Sequence, residues 1–374
     1  MTDDYNKIFH QLLPNAVNEF SPQIPYWPSS PQFGRSDKRS RFEGDSHYWG
    51  VWHDEEPFEM FEKKVPRFMS EFGFQSYPSL KTLSSWVDAK ELNYNSPILQ
   101  SHQKHPRGNE LIIKYMEPYY NVPENFSDFI YVNQLLQAEG ISTGIEAHRR
   151  AMPYCMGSLY WQLNDCWPVI SWSSIDYEGR WKALQYFAKK SFEPIILSLE
   201  RNDNLLNIYI VNDKHEWVVG YLNMQMFKLN GRKILEVQEY CKIKPDSKEI
   251  LKSIDITKYN FKDLNNLFLN IRFDGNEHVS QKNFYFVKPK DLSLFKPEIK
   301  ITIEKEDNHF VLVLLSDVLA KNVFVDCHAE GKYSDNYFDL IPGEEKTIEF
   351  YPDKNIESIS FTTFSLWDTL GKKN

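Results

Sequence analysis

Arg67-Phe68-Met69-Ser70-Glu71-Phe72-Gly73-Phe74-Gln75-Ser76 is the stretch on which the reading of this 374-residue chain turns. Bulky apolar residues lead to one carboxylate, and an aromatic and a glycine follow at once. The pattern predicts a strand over 66–71 with Glu71 at its C-terminal tip and a turn permitted by Gly73. Taken alone, a single carboxylate there reads first as a helix cap or a surface charge. The surrounding elements decide whether it is more.

Upstream, Tyr5, Ile8, Phe9, Leu12 and Leu13 recur at helical spacing over 4–13, with Pro14 expected to end the helix and Asn18-Glu19 to fall in a polar link. Ile24-Pro25-Tyr26-Trp27-Pro28 admits a short strand at Tyr26 running into a rigid loop. Gly44-Asp45 opens another strand, Ser46 to His53, and a helical piece spans Phe58 to Lys64. Downstream, Ser79 caps a helix and 94–110 is a polar loop. A long helical pattern from Ser127 to Met152 is interrupted near Gly140. Cys155 to Asp165 reads as a buried strand ending in polar groups, and Trp181 to Ala188 as a closing helix. Strand and helix alternate with the rhythm of an α/β barrel, in which strand C-terminal tips form the catalytic face.

From Pro194 the texture changes. Alternating stretches such as Leu206 to Val211, Leu267 to Ile271 and Asn283 to Val287 are separated by Asn230-Gly231 and Asp274-Gly275. After a linker from Lys288 to Pro297, a second set follows, including Ile299 to Ile303, Phe310 to Leu315 and Thr347 to Phe350. This is β-sandwich grammar twice over. The expected organisation is residues 1–193 as the C-terminal half of a (β/α)₈ barrel, then immunoglobulin-like sandwiches over 194–290 and 297–374.

Composition narrows the function. A net charge of -9 argues against nucleic acid or an anionic membrane as partner, and no apolar run is long enough to span a bilayer. Aromatics make up 15% of the chain, and eight of its ten tryptophans precede residue 182. Flat rings pack cores, and they also suit the C–H faces of sugars. Cys155, Cys166, Cys241 and Cys327 show no CxxC or zinc-type spacing. His102 and His105 form an HxxH pair with no third ligand nearby, so both are expected to be hydrogen-bonding histidines. No metal and no cofactor is expected. Asn125-Phe126-Ser127 fits a glycosylation sequon.

Several motifs together resemble the β-mannosidases of glycoside hydrolase family 2. They are Tyr26-Trp27-Pro28-Ser29-Ser30-Pro31, Gly44-Asp45-Ser46-His47-Tyr48-Trp49-Gly50-Val51-Trp52, Ser70 to Ser76, Tyr160-Trp161-Gln162-Leu163-Asn164-Asp165-Cys166-Trp167-Pro168, Trp172 to Tyr177 and Ser334 to Leu340. The resemblance implies a retaining exo-glycosidase that releases terminal β-D-mannose from β-mannoside oligosaccharides or glycoconjugates. Glu71 would align with the nucleophile at the end of barrel strand seven, and Trp161 with the aromatic floor of the mannose pocket. His47, Tyr48, Trp49 and Trp52 fall at or after strand six, beside the nucleophile, with the residue facing the sugar left open by strand register. Asn164 is a further candidate for the substrate, although it and Asp165 read more readily as loop hydrogen-bonders. Asp45 and Arg67 orient ligand or pair as structural charges.

One departure stands out. In the family the acid/base Glu follows an Asn at the tip of strand four, ahead of the helix with which this chain begins, and Asn18-Glu19 comes too late to be that pair. The chain is therefore expected to be the C-terminal portion of such an enzyme, nearly inactive alone and prone to self-association through the open barrel edge. Alternatives are a family-2 enzyme for a galactoside, glucoside or glucuronide, and a non-catalytic carbohydrate-binding remnant. The compartment stays open.

Overall fold

A computed structural model describes residues 2–34, 37–258 and 263–371. Backbone proximity divides the chain into two compact units, Met1–Gly73 with Thr143–Trp161 and Phe74–Ser142 with Gln162–Asn374.

In the first unit three stretches run side by side. Ser46–His47 pairs in parallel with Met69–Glu71, and Met69 bridges Ser158 in parallel on the other side. Tyr48 N–H donates to the Glu71 carbonyl at 2.8 Å, Leu159 N–H to that of Met69 at 2.8 Å, and Trp161 N–H to that of Phe72 at 2.8 Å. Because all three run the same way, their C-terminal ends share one edge. Met69 and Phe72 are fully buried beneath it.

Several local expectations for this unit are corrected. Pro14 does not end the first helix. Thr2–Lys7 continues through a π-turn at Ile8–Leu12 into Leu13–Phe20, so Asn18-Glu19 is helical. Pro14 sits just past the π-turn, at the start of that last segment. Tyr5, Ile8, Leu12, Leu13 and Phe20 stay exposed along it. Tyr26 joins no ladder; its hydroxyl donates to the Phe9 carbonyl at 2.9 Å. The strand expected over Ser46 to His53 stops at His47, and Gly50–His53 is a distorted helical turn in which fully buried Trp52 takes φ +86°. Cys155 to Asp165 is not a buried strand. It follows its neighbour as an irregular chain, with Met156, Leu159, Trp161 and Leu163 exposed.

The second unit begins with Phe74 to Tyr77, whose backbone finds partners in a helix. Phe126–Arg150 runs 25 residues without interruption at Gly140. Its side-chain amides take up the segment's polar groups: Asn133 Oδ1 accepts from Tyr77 N–H at 2.8 Å, and Gln137 Nε2 donates to the Phe74 carbonyl at 2.7 Å. Gln134 Nε2 donates to the Tyr77 carbonyl at 3.1 Å. A buried backbone needs such partners wherever no strand lies alongside. Ser79 caps Leu80–Leu83 as expected, its hydroxyl accepting from Thr82 N–H at 3.2 Å. The polar stretch 94–110 holds the helix Pro97–Ser101 and the start of Gly108–Met116. The Asn125 side-chain oxygen accepts from the Ser127 and Asp128 N–H groups at 2.9 and 3.3 Å, capping the long helix.

Two sandwiches complete this unit. In the first, Ile195–Asn202, Leu205–Asn212 and Ser247–Asp255 face a sheet of Lys233–Ile243, Val218–Lys228, Leu267–Gly275 and Val279–Tyr285. Leu197, Ile208, Leu222, Ile271 and Phe273 fill the space between them. Gly231 adopts φ +89° in the Asn230-Gly231 turn, a conformation that costs any side-chain-bearing residue more. The second sandwich sets Ile299–Lys305, Phe310–Ser316, Lys346–Pro352 and Gly331–Tyr333 against Phe338–Leu340, Ala320–Cys327 and Phe361–Phe364. Alternation is plain in Phe310–Ser316, where every second residue is buried. Phe227, Leu229, Phe268, Leu292, Leu319 and Ile341 pack as a separate buried cluster joining the two. Among the described residues no helix is long and apolar enough to cross a membrane.

Candidate active site

Glu71 ends its short strand with 20% of its side chain exposed, and its Oε2 lies 2.8 Å from His47 Nδ1 on the neighbouring parallel segment. An ionised carboxylate only accepts, so His47 donates through Nδ1. The other ring nitrogen, Nε2, lies 3.3 Å from Ser30 Oγ. That hydroxyl donates to Asp45 Oδ2 at 2.5 Å, and the Ser70 hydroxyl donates to the same oxygen at 2.6 Å. Ser30 has one proton, and it points to Asp45. A continuous chain of polar contacts thus runs from Asp45 through Ser30 and His47 to Glu71, and Ser70 ties its far end back to the strand that carries Glu71. Burial opposes charge on Asp45, but the Ser30 and Ser70 hydroxyls outweigh it and hold its carboxyl below the usual range.

The other expected site residues divide. Trp161 reaches the shared edge beside Glu71, its backbone bonded to Phe72, and 44% of its surface is exposed. Tyr48 turns its ring edge-on to Phe61, with centroids 5.9 Å apart, and its hydroxyl donates to Glu56. Trp49 packs against His53 at 5.1 Å and stays half-buried. Trp52 is wholly enclosed and offers no face to a ligand. Asn164 is exposed in the second unit, where its carbonyl accepts from Gln162 Nε2 at 3.0 Å. Asp165 is tied down by the Ser171 and Ser173 hydroxyls at 2.6 Å each. Asp45 takes two hydroxyls, and the Arg67 guanidinium lies 5.1 Å over the Tyr154 ring, so each has its own partner.

Beneath Glu71 the packing is tight. The buried Phe72 ring meets Phe61 at 5.2 Å and His148 at 5.0 Å, both edge-on. A Cβ at Gly144 would stand 2.6 Å from the Phe72 ring, so only glycine lets the helix approach this closely. His148 is 1% exposed, and its Nδ1 lies 2.8 Å from Ser158 Oγ. Burial, reinforced by the Arg150 charge, pushes its imidazole down to about 3. Ser30, Ser70, Gly144 and His148 escaped the sequence reading. Their only trace is the wording of the motifs that contain the two serines.

His102 Nδ1 contacts the Pro168 carbonyl at 2.6 Å and its ring stacks on Trp86 at 4.3 Å; His105 Nδ1 accepts from Arg107 N–H at 3.2 Å. Among the described residues no group of three or more His, Cys, Asp or Glu side chains is placed to hold a metal ion.

The chain has relatives among known proteins. Residues 294–369 match a family model described as an Ig-fold domain of mannosidases, and residues 204–291 match a mannosidase Ig/CBM-like domain. Beta-mannosidase A of Aspergillus clavatus is 29% identical over 98% of this chain and 46% of its own length. The beta-mannosidase of Rattus norvegicus is 28% identical over 94% of this chain and 44% of its own. The crystal structure of Beta-D-Mannosidase from Dictyoglomus thermophilum superposes with a TM-score of 0.88 at 29% identity, covering 96% of this chain and 45% of that one. The chain spans about half the length of the curated relatives it matches. Along nearly all of its own length it is a homologue of β-mannosidases of glycoside hydrolase family 2.

Proposed function

We propose that this chain carries the nucleophile half of a retaining exo-β-mannosidase, with Glu71 as the nucleophile. The observation that carries the reading is the Glu71–His47 contact of 2.8 Å at an open edge of parallel strand ends, with exposed Trp161 alongside. In a retaining reaction an ionised carboxylate oxygen attacks the anomeric carbon as the bond to the leaving oxygen breaks, giving a glycosyl ester. A second carboxyl, about 5–5.5 Å away, protonates the leaving oxygen and then takes a proton from the water that cleaves the ester.

In this reading His47 holds Glu71 in its attacking rotamer, and Ser30 with Asp45 fixes the far side of the imidazole. Trp161 floors the sugar pocket, and Tyr48 and Trp49 shape its wall; buried Trp52 serves as packing. Residues 1–193 contribute part of a (β/α)₈ barrel, a reading supported by the parallel run of 46–47, 69–71 and 158.

The test is covalent trapping of the whole gene product with a 2-deoxy-2-fluoro-β-mannosyl fluoride, followed by peptide mapping. The expected label is on Glu71, with no label in Glu71→Gln and no turnover of p-nitrophenyl β-mannoside. A label on another carboxylate, or a Glu71→Gln variant with full turnover, overturns the assignment. A parallel panel of β-galactoside, β-glucoside and β-glucuronide tests the sugar.

A further inference from the structure

We propose that the second unit holds a separate saccharide-binding site, walled by aromatic rings between the start of the helix Phe126–Arg150 and the C-terminal sandwich. A cavity of about 360 Å³ opens there, within the range of small-ligand pockets. Its walls are Tyr131, Trp181, Tyr186, Phe324, Tyr337 and Phe364. These rings brace one another: Phe324 stacks on Tyr337 at 4.8 Å, Phe364 meets Tyr131 edge-on at 5.0 Å, and Trp181 meets Tyr186 at 5.1 Å. The Tyr131 hydroxyl donates to the Asn322 carbonyl at 2.5 Å and that of Tyr337 to Gln134 Oε1 at 3.1 Å, so neither ring is free to swing.

One edge is polar and equally fixed. Glu330 is gripped by Arg180 at 2.8 and 3.1 Å and by Lys81 at 3.0 Å. Arg180 in turn donates to Thr82 Oγ1 at 2.7 Å, and Thr82 donates to Asp176 at 2.6 Å. Groups held this way lose little entropy when a ligand arrives.

The chemistry of the lining selects the ligand. Five carboxylates against three cations line the cavity, which disfavours an anion. A plain hydrocarbon would strip water from those charges without replacing it. An uncharged pyranose answers both halves: its C–H face lies on a ring, and its hydroxyls donate to carboxylates while accepting from Arg180 and Lys81. The site is independent of the Glu71 reading, since none of its residues belongs to that unit.

The test is a titration of the full chain with β-1,4-mannotriose and with cellotriose, read by tryptophan fluorescence and saturation-transfer NMR, with choline as a competitor. Saturable binding near a Kd of about 1 mM is expected. It should survive Trp161→Ala, which removes the proposed platform of the other unit. It should weaken about tenfold or more in Ala329→Trp, which fills the cavity. Thr362→Trp, from an exposed strand position on the same wall, repeats the block if Ala329→Trp does not fold. Three outcomes overturn the proposal: no saturable binding to either trisaccharide, binding lost in Trp161→Ala but untouched by both blocking variants, or displacement by choline. The second of these would leave the Glu71 reading standing.

Discussion

Replacing His148 by glutamine is expected to flatten the loss of stability that the protein suffers between pH 7 and pH 5. His148 lies under the Glu71 edge at 1% exposure, edge-on to Phe72 and 2.8 Å from the Ser158 hydroxyl. Burial, helped by Arg150, lowers its pKa from 6.5 to about 3. The unfolded chain therefore binds a proton below pH 6.5 that the folded chain refuses until about pH 3. Stability from this group is complete above pH 6.5 and falls with acid at ~1.4 kcal/mol per pH unit. At pH 5 the loss amounts to ~2 kcal/mol, a large part of a typical domain stability of roughly 5–15 kcal/mol. Other groups titrate between pH 7 and 5, among them His105, pushed down by burial, and His215, raised by Asp246, but both proteins share them, so the difference in slope isolates the His148 imidazole. Urea midpoints at pH 7.5, 6 and 5 measure it in both proteins. The substituted glutamine still offers Ser158 a hydrogen bond but cannot titrate, so the readout is the slope and not the level. If wild type and His148→Gln lose equal stability over that range, the buried neutral imidazole is refuted.

Two further outcomes follow from packing and burial. In Gly144→Ala, the new methyl meets Phe72 at 2.6 Å, and overpacking of ~1–3 kcal/mol should exceed the ~1 kcal/mol gained in helix propensity. Urea unfolding should show net destabilisation, relieved by Phe72→Leu in the same background; strict additivity of the two changes would contradict the contact. Lys182 is fully buried and donates to the Ser76 carbonyl at 3.2 Å, and burial lowers its pKa from 10.5 to about 8 against the pull of Asp165 and Asp176. Between those values the unfolded chain holds the extra proton, so wild-type stability should rise from pH 8 toward 10.5 by ~3 kcal/mol relative to Lys182→Met. Parallel alkaline unfolding profiles would rule that out.

How much was legible depended on how local each cause is. The sandwich strands announced themselves because alternation needs only a core face and a solvent face, as Phe310–Ser316 displays. Ser79 and Gly231 carried their turn chemistry within a few residues. Pro14 misled because the helix passes it by way of a π-turn instead of ending there. The stretch 155–165 misled because strand-like wording does not reveal whether a second partner strand lies on its far side.

Glu71 illustrates the division. The local wording placed a carboxylate at a strand end and a tryptophan at another, and the motif set placed both in one family. Chain order could not say that Ser30, Asp45 and His47 line up behind Glu71, since their contact depends on where a parallel segment 24 residues away comes to rest beside it. Nor could it say that Phe72 is wedged between Gly144 and His148, more than 70 residues downstream. The candidate for the reacting group comes from residue type at a strand tip, which sequence determines alone. Its orientation is a property of side-chain distances between segments far apart in the chain, and only tertiary packing decides those.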